Sequence, residues 1–146
     1  MTKMDAATDQ SPEQMHPMYP VGVKKQFDRI GRIRVLLVGR SNAGKTTLLQ
    51  CVYSATKLPE VFNTNGERID SMMVQGSLER GYHDIQNELI FRSSPGIIFH
   101  DSRGFEAGSE DEVMLVKNFI VECTTTMQAE KKIHAIWYCI PGTDEF

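Results

Sequence analysis

Two stretches of this 146-residue sequence hold residue types whose spacing could do chemistry. The first is Gly39-Arg40-Ser41-Asn42-Ala43-Gly44-Lys45-Thr46, which fits the pattern GxxxxGK[ST]. Glycines let a backbone curl until successive N–H groups point inward, and such a concave row at a helix N-terminus attracts anionic oxygens. Gly39, Ser41, Asn42, Ala43, Gly44, Lys45, Thr46 and Thr47 are therefore candidate phosphate-binding residues. Lys45 supplies a point charge for the β and γ phosphates and is the leading catalytic candidate, while the Thr46 hydroxyl is placed to ligate Mg²⁺. A chance match to this pattern in a chain of this length has a probability of roughly one in two hundred from average residue frequencies.

The second stretch is Asp101-Ser102-Arg103-Gly104, which follows the apolar run Ile97-Ile98-Phe99 and so reads as DxxG at a strand end. An aspartate there can hold Mg²⁺ through water, and the Gly104 N–H can approach a γ-phosphate and sense its loss. Asp101 is thus the second metal candidate. Glu106 and Arg103 are weaker catalytic candidates, as a water-positioning group and a charge stabiliser; a solvated surface role suits each of them better.

These residues need elements to position them. Ile33 to Val38 is a short apolar run ending at Gly39, as a buried parallel strand would be. After the loop, Leu48, Cys51, Val52 and Ala55 fall at i, i+3, i+4 and i+7, which predicts a helix packing that face on the sheet. Residues 57–83 contain Pro59, Asn63, Asn65, Gly66 and Gly76 with little periodicity, and are expected to be a long loop, functional or disordered. Ile85 to Arg92 alternates as an exposed edge strand, with Ile85, Leu89 and Phe91 on one face; Ser93-Ser94-Pro95-Gly96 then turns the chain so that 97–99 returns beside it. Ser109 to Glu112 reads as a capping box opening a helix whose apolar face is Val113, Val116, Ile120, Cys123 and Met127, with Thr124-Thr125-Thr126 weakening its last turn. Ile133 to Ile140 reads as a final strand with Trp137 in the core. The order is strand, helix, hairpin, helix, strand, an α/β plan over residues 31–146. Residues 1–30, with Pro12, Pro17 and Pro20 and no periodicity, are expected to be a disordered tail.

Composition narrows the function classes. Lys+Arg 16 against Asp+Glu 19 gives a net charge of −3, so nothing in the overall charge calls for nucleic acid or an anionic membrane. The longest apolar runs are strand-sized, so no transmembrane segment or secretory signal is expected. Cys51, Cys123 and Cys139 are odd in number and widely spaced, which fits reduced thiols in a cytoplasmic protein better than a zinc or redox site. His83 and His100 each precede an aspartate, yet both sit within strand patterns and suit structural or switch roles better than metal ligation.

The two motifs in this order resemble the G domain of the translation-factor-like class of P-loop GTPases. His83-Asp84-Ile85-Gln86-Asn87-Glu88, Phe99 to Glu106 and His134-Ala135-Ile136-Trp137-Tyr138-Cys139 look, more specifically, like a group of fungal G-domain-containing proteins. The resemblance implies a P-loop three-layer sandwich with a mainly parallel sheet and one antiparallel edge strand. It also implies a guanine nucleotide (GTP or GDP) with Mg²⁺, and a regulatory or effector protein as partner. Residues 57–83 would be the first switch and 104–109 the second. In such proteins a first-switch threonine completes the Mg²⁺ shell; here no position identifies itself, Thr64 being far from the next strand and Ser77 a substitute. Phe105 stands where Ras-like enzymes carry a water-orienting glutamine, and suits a hydrophobic plug. The guanine-reading N/TKxD motif would follow one strand further on, and Thr143-Asp144-Glu145 does not match it, so an incomplete G domain is expected.

Three functions compete. The leading one is a GTP-binding module of the switch type with slow hydrolysis. A small P-loop kinase or phosphotransferase shares the Gly-Lys-Thr chemistry but would need an arginine-rich lid, and only Arg32, Arg34 and Arg40 cluster, around the first strand. The third is a degenerate, non-enzymatic nucleotide-binding fragment.

Overall fold

The computed structural model describes residues 25, 28–52, 58–69, 84–104 and 109–142. Six strands form one sheet: β1 (Ile33–Gly39), β2 (Glu60–Phe62), β3 (Arg68–Ile69), β4 (Glu88–Ile90), β5 (Ile97–Asp101) and β6 (Ala135–Cys139), in the order β3-β2-β4-β5-β1-β6. The helices are α1 (Lys45–Val52) and α2 (Glu110–Thr125), with a 3₁₀ turn at Ala129–Lys131 before β6. Of the expected tail, Lys25 and residues 28–30 are described, and they are helical.

The centre of the sheet follows the apolar pattern of β1. Its residues alternate between two cores: Val35 and Leu37 pack with Leu49 of α1, Phe91 and Phe99, whereas Leu36 and Val38 pack with Val116 and Phe119 of α2. A strand buried on both faces by helices belongs to an α/β architecture of three layers. β1 pairs in parallel with β5 on one side and β6 on the other, with Leu37 opposite both Asp101 and Trp137.

The sheet is mixed, two pairings parallel and three antiparallel, and so departs from the expected mainly parallel sheet with a single antiparallel edge strand. β5–β4, β4–β2 and β2–β3 are all antiparallel, so the antiparallel part is a three-strand extension and β4 is an inner strand. Short turns connect β2 to β3 and β4 to β5, and such turns can only reverse the chain. Ser94 N–H bonds to Phe91 O and Ile97 N–H to Ser94 O, which closes the β4–β5 turn. The β2–β3 hairpin lies inside what the sequence presents as loop. Asn63 Oδ1 accepts the N–H groups of Asn65 and Glu67 at 3.0 and 2.9 Å, and Gly66 takes the left-handed φ of 76° that the turn requires.

Four local expectations shift. Among the described apolar side chains of α1, the one facing the sheet is Leu49, 3% exposed, while Leu48 and Cys51 lie on the exposed flank and the side chain of Val52 and residue 55 lie outside what is described. The helix phase is set by Lys45, which the loop buries; Leu49, one turn later, inherits its face. Ile85 packs on the α2 side, opposite Leu89 and Phe91, because Asp84–Asn87 is a turn and period-two counting fails across it. Ser109 is the N-cap of α2 but makes no side-chain cap bond; Glu112 faces Arg103 instead, at 3.9 Å. The apolar face of α2 is Val116, Phe119, Ile120 and Cys123; Val113 is half exposed and Met127 lies beyond the helix. The helix ends within the threonine run, where the Thr124 and Thr125 hydroxyls donate to carbonyls one turn back.

Candidate functional site

β1, β5 and β6 end together at their C-terminal edges, where open α/β sheets bind ligands. The loop that leaves β1 at Gly39 and enters α1 at Lys45 crosses this edge. Gly39 is required by a close approach: it stands opposite Cys139 on β6, and a Cβ there would collide with the Cys139 backbone. Asn42 (φ 61°) and Gly44 (φ 77°) take left-handed conformations that turn the loop over on itself. Ala43 N–H bonds to Arg40 O at 3.1 Å, and Leu48 N–H bonds to Gly44 O at 2.8 Å to begin the helix. The result is the curled strand–loop–helix geometry that the motif demands.

Lys45 lies beneath this loop, 8% exposed. Its ammonium donates to Gly39 O at 3.3 Å and to Arg40 O at 3.1 Å, so the positive charge is held at the centre of the curl. Among the described residues the Lys45 ammonium bonds to neutral carbonyls, which do not offset its charge, and a buried cation so held favours an anion there. Cys139 is close enough to feel the same charges. Burial raises its thiol pKa, the Lys45 ammonium opposes that rise and the Asp101 carboxylate adds to it.

Asp101 closes β5 and is 4% exposed; Ser102 follows, fully buried, its N–H bonded to Leu37 O at 3.1 Å. That bond continues the β1–β5 ladder by one residue and carries the chain across to the loop. Gly104 then presses on Ser41: a Cβ at 104 would overlap the Ser41 backbone, and the Ser41 hydroxyl donates to Gly104 O at 3.2 Å. The two sequence motifs are thus in direct contact. A carboxylate at this edge supplies the hard oxygen donor that Mg²⁺ prefers, so the residues fit that ion. Arg103 is half exposed beside Glu112. Thr47 is exposed on α1. The side chain of Thr46 and residues 105–108, with Phe105 and Glu106, lie outside what is described, as do His83, Ser77 and residues 143–146. Thr64 is in the β2–β3 turn.

Sequence reasoning missed a polar cluster on the α2 face. Arg34 on β1 donates to His100 Nε2 at 2.9 Å, pairs with Glu88 at 2.7 Å and donates to the Glu130 carbonyl. His134 Nδ1 accepts the Arg34 N–H at 3.0 Å. Since arginine offers no acceptor, His100 Nε2 is unprotonated and Nδ1–H donates to Ile85 O at 2.9 Å. Burial first, and then the Arg34 charge, push the His100 pKa down to about 4. His100 is therefore a neutral structural histidine. No group of three metal-ligating side chains occurs among the described residues. No signal in the sequence joins these residues, because only the strand register brings Arg34, Glu88 and His100 together.

No curated protein and no solved structure matched the chain. Among the described residues no helix is long and apolar enough to cross a membrane. Residues 34–140 match the family described as 50S ribosome-binding GTPase, a span that runs from β1 through both motifs to the end of β6, and the chain accordingly belongs to this family of GTP-binding P-loop domains.

Proposed function

We propose that the domain is a switch-type GTPase module, in which the state of the bound guanine nucleotide is transmitted through the 101–104 segment. The contact of Gly104 with Ser41 carries this reading, because a segment lying on the phosphate loop cannot ignore what the loop holds. Main-chain N–H groups of residues 41–47 would cradle the phosphates, with Lys45 neutralising charge at the β and γ positions. Thr46 and Asp101 would hold Mg²⁺, which neutralises phosphate charge when bound. With phenylalanine at 105, intrinsic hydrolysis would be slow, on the order of 10⁻⁴ to 10⁻² per second, leaving room for a partner to accelerate it.

Calorimetric titration of the parent and Lys45→Ala chains with Mg·GTP tests this, with circular dichroism confirming that both fold. The parent binds and the variant does not. Equal affinity in the two would remove the phosphate loop from the reading, and single-turnover phosphate release well above the stated range would remove slow hydrolysis.

A further inference from the structure

The end of the sheet opposite the phosphate loop carries a charge unlike that of the whole chain. β1 is seven residues long, so the two ends are roughly 20 Å apart. Three segments meet at this far end: the residues leading into β1, the β4–β5 turn, and the stretch from the end of α2 to β6. Ile33 N–H bonds to Gly96 O at 2.9 Å, which joins the first to the second. Arg34 ties in the third, its Nε donating to Glu130 O at 2.6 Å and its N–H to His134 Nδ1 at 3.0 Å, while His134 N–H donates to Arg34 O at 2.9 Å. Arg29, Arg32, Lys131 and Lys132 stand exposed on these segments, as does Lys25, four residues before Arg29 and likewise helical. None of the five is in an ion pair among the described residues, whereas Arg92 in the turn is held by Glu60. The exposed acids on the same segments are Asp28 and Glu130. Five cations against two anions give this end a local positive excess on a chain whose net charge is −3. Beside the two lysines, just past α2, Met127 is 96% exposed, the most of any large apolar side chain described.

We propose that this end of the domain docks on an anionic lipid surface, with the basic side chains against the headgroups and Met127 entering the boundary between headgroups and acyl chains. One weak contact does not anchor a protein to a bilayer, so several cations and an apolar side chain must act together, as they are placed to do here. Met127 favours lipid over the phosphates of a nucleic acid, which would attract the cations equally well. A phosphate backbone offers a thioether nothing apolar, whereas a bilayer interface does. The bonds of Arg34 fix the stretch from Glu130 to His134 on β1, so Lys131 and Lys132 are presented without the ordering cost of a loose loop. The phosphate loop faces away at the other end of β1, well beyond the screening length of about 8 Å at physiological ionic strength. Docking and nucleotide binding are therefore independent, and the proposal does not rest on the phosphate-loop reading.

The intact chain is sedimented with phosphatidylcholine vesicles that contain or lack phosphatidylserine, in parallel with binding to poly(U) RNA. Binding is expected to the phosphatidylserine vesicles alone, and to weaken as salt is raised. Replacing both lysines, by Lys131→Ala and Lys132→Ala together, is expected to weaken it roughly thirtyfold, or about 2 kcal/mol. Met127→Ser is expected to weaken vesicle binding roughly tenfold through the lost apolar burial. Both changes fall on exposed side chains far from the phosphate loop, so circular dichroism and Mg·GTP affinity should match those of the parent. Equal binding to the two kinds of vesicle, or binding to neither, would overturn the proposal. Tighter binding to poly(U) than to vesicles, with no effect of Met127→Ser, would overturn it in favour of a nucleic-acid surface. Failure of Mg·GTP to bind the parent would strike the phosphate-loop reading, and vesicle binding that persists in that case would still uphold this one.

Discussion

Gly104 and Ser41, 63 residues apart in sequence, touch so closely that the 101–104 segment and the phosphate loop share one surface, joined by the Ser41 hydroxyl and the Gly104 carbonyl. The contact has no room for a methyl group at position 104. Gly104→Ala must therefore displace either the loop or the segment, and forcing extra volume into a packed contact costs about 1–3 kcal/mol. The expected outcome is weaker Mg·GTP binding, with GDP less affected because it lacks the phosphate that the segment would sense. Calorimetry with both nucleotides checks it, and parental GTP affinity in the variant would refute the coupling.

The neutral state of His100 has a signed pH consequence. Its pKa is about 4 in the fold against an ordinary 6.5, so between these values the unfolded chain binds more protons than the folded one. Stability is full above pH 6.5 and falls as the pH drops towards 4, by about 3 kcal/mol across the window. Urea unfolding of the parent and of His100→Asn at pH 7, 5.5 and 4 tests this. The parent's advantage over the variant should shrink as the pH falls; an advantage that stays constant would mean that protonation of His100 is not opposed by the fold.

How much of this was legible in the sequence depended on which forces set each element. The loop from Gly39 to Thr46 and the DxxG strand end were legible because their residue types answer local backbone demands, and both stand where expected. The paired strands β4 and β5 were legible from Ser93-Ser94-Pro95-Gly96. The β2–β3 hairpin was not, since strands of three and two residues carry too few side chains to show an alternation, although Asn65-Gly66 was a turn signal in plain view. The Arg34–His100–Glu88 cluster was invisible for a different reason: it joins three strands, and only the pairing register brings them together.

The phase of α1 shows how a buried charge can outrank apolar spacing. Counting apolar residues placed Leu48 and Cys51 on the sheet face, whereas Leu49 occupies it, one turn after Lys45. Leu49→Ala should therefore cost about 2–5 kcal/mol, as deletion of a buried leucine does. Leu48→Ala, at a side chain 38% exposed, should cost roughly 1 kcal/mol or less. Chemical denaturation of the two variants checks the order, and a larger loss at Leu48 would restore the phase expected from spacing.

The free side of β6 leads to the last prediction. Among the described residues β6 is an edge of the sheet, opposite the short β3, whose Arg68 carries an exposed charge. β6 has no charge of its own from Ala135 to Cys139, and its Ile136 and Tyr138 are 51% and 64% exposed. Charged side chains and short strands are what keep sheet edges from pairing with other chains; β3 has both and β6 has neither. The chain is therefore expected to self-associate through β6. Ile136→Lys puts an ammonium on the exposed face of that edge without touching the Phe99–Trp137 core on the other, so the fold should survive while association weakens. Light scattering coupled to size exclusion, over a range of concentrations, measures the difference. A parent chain that stays monomeric at high concentration, or a variant that associates as readily, would show that this edge is covered in solution by something other than a second copy.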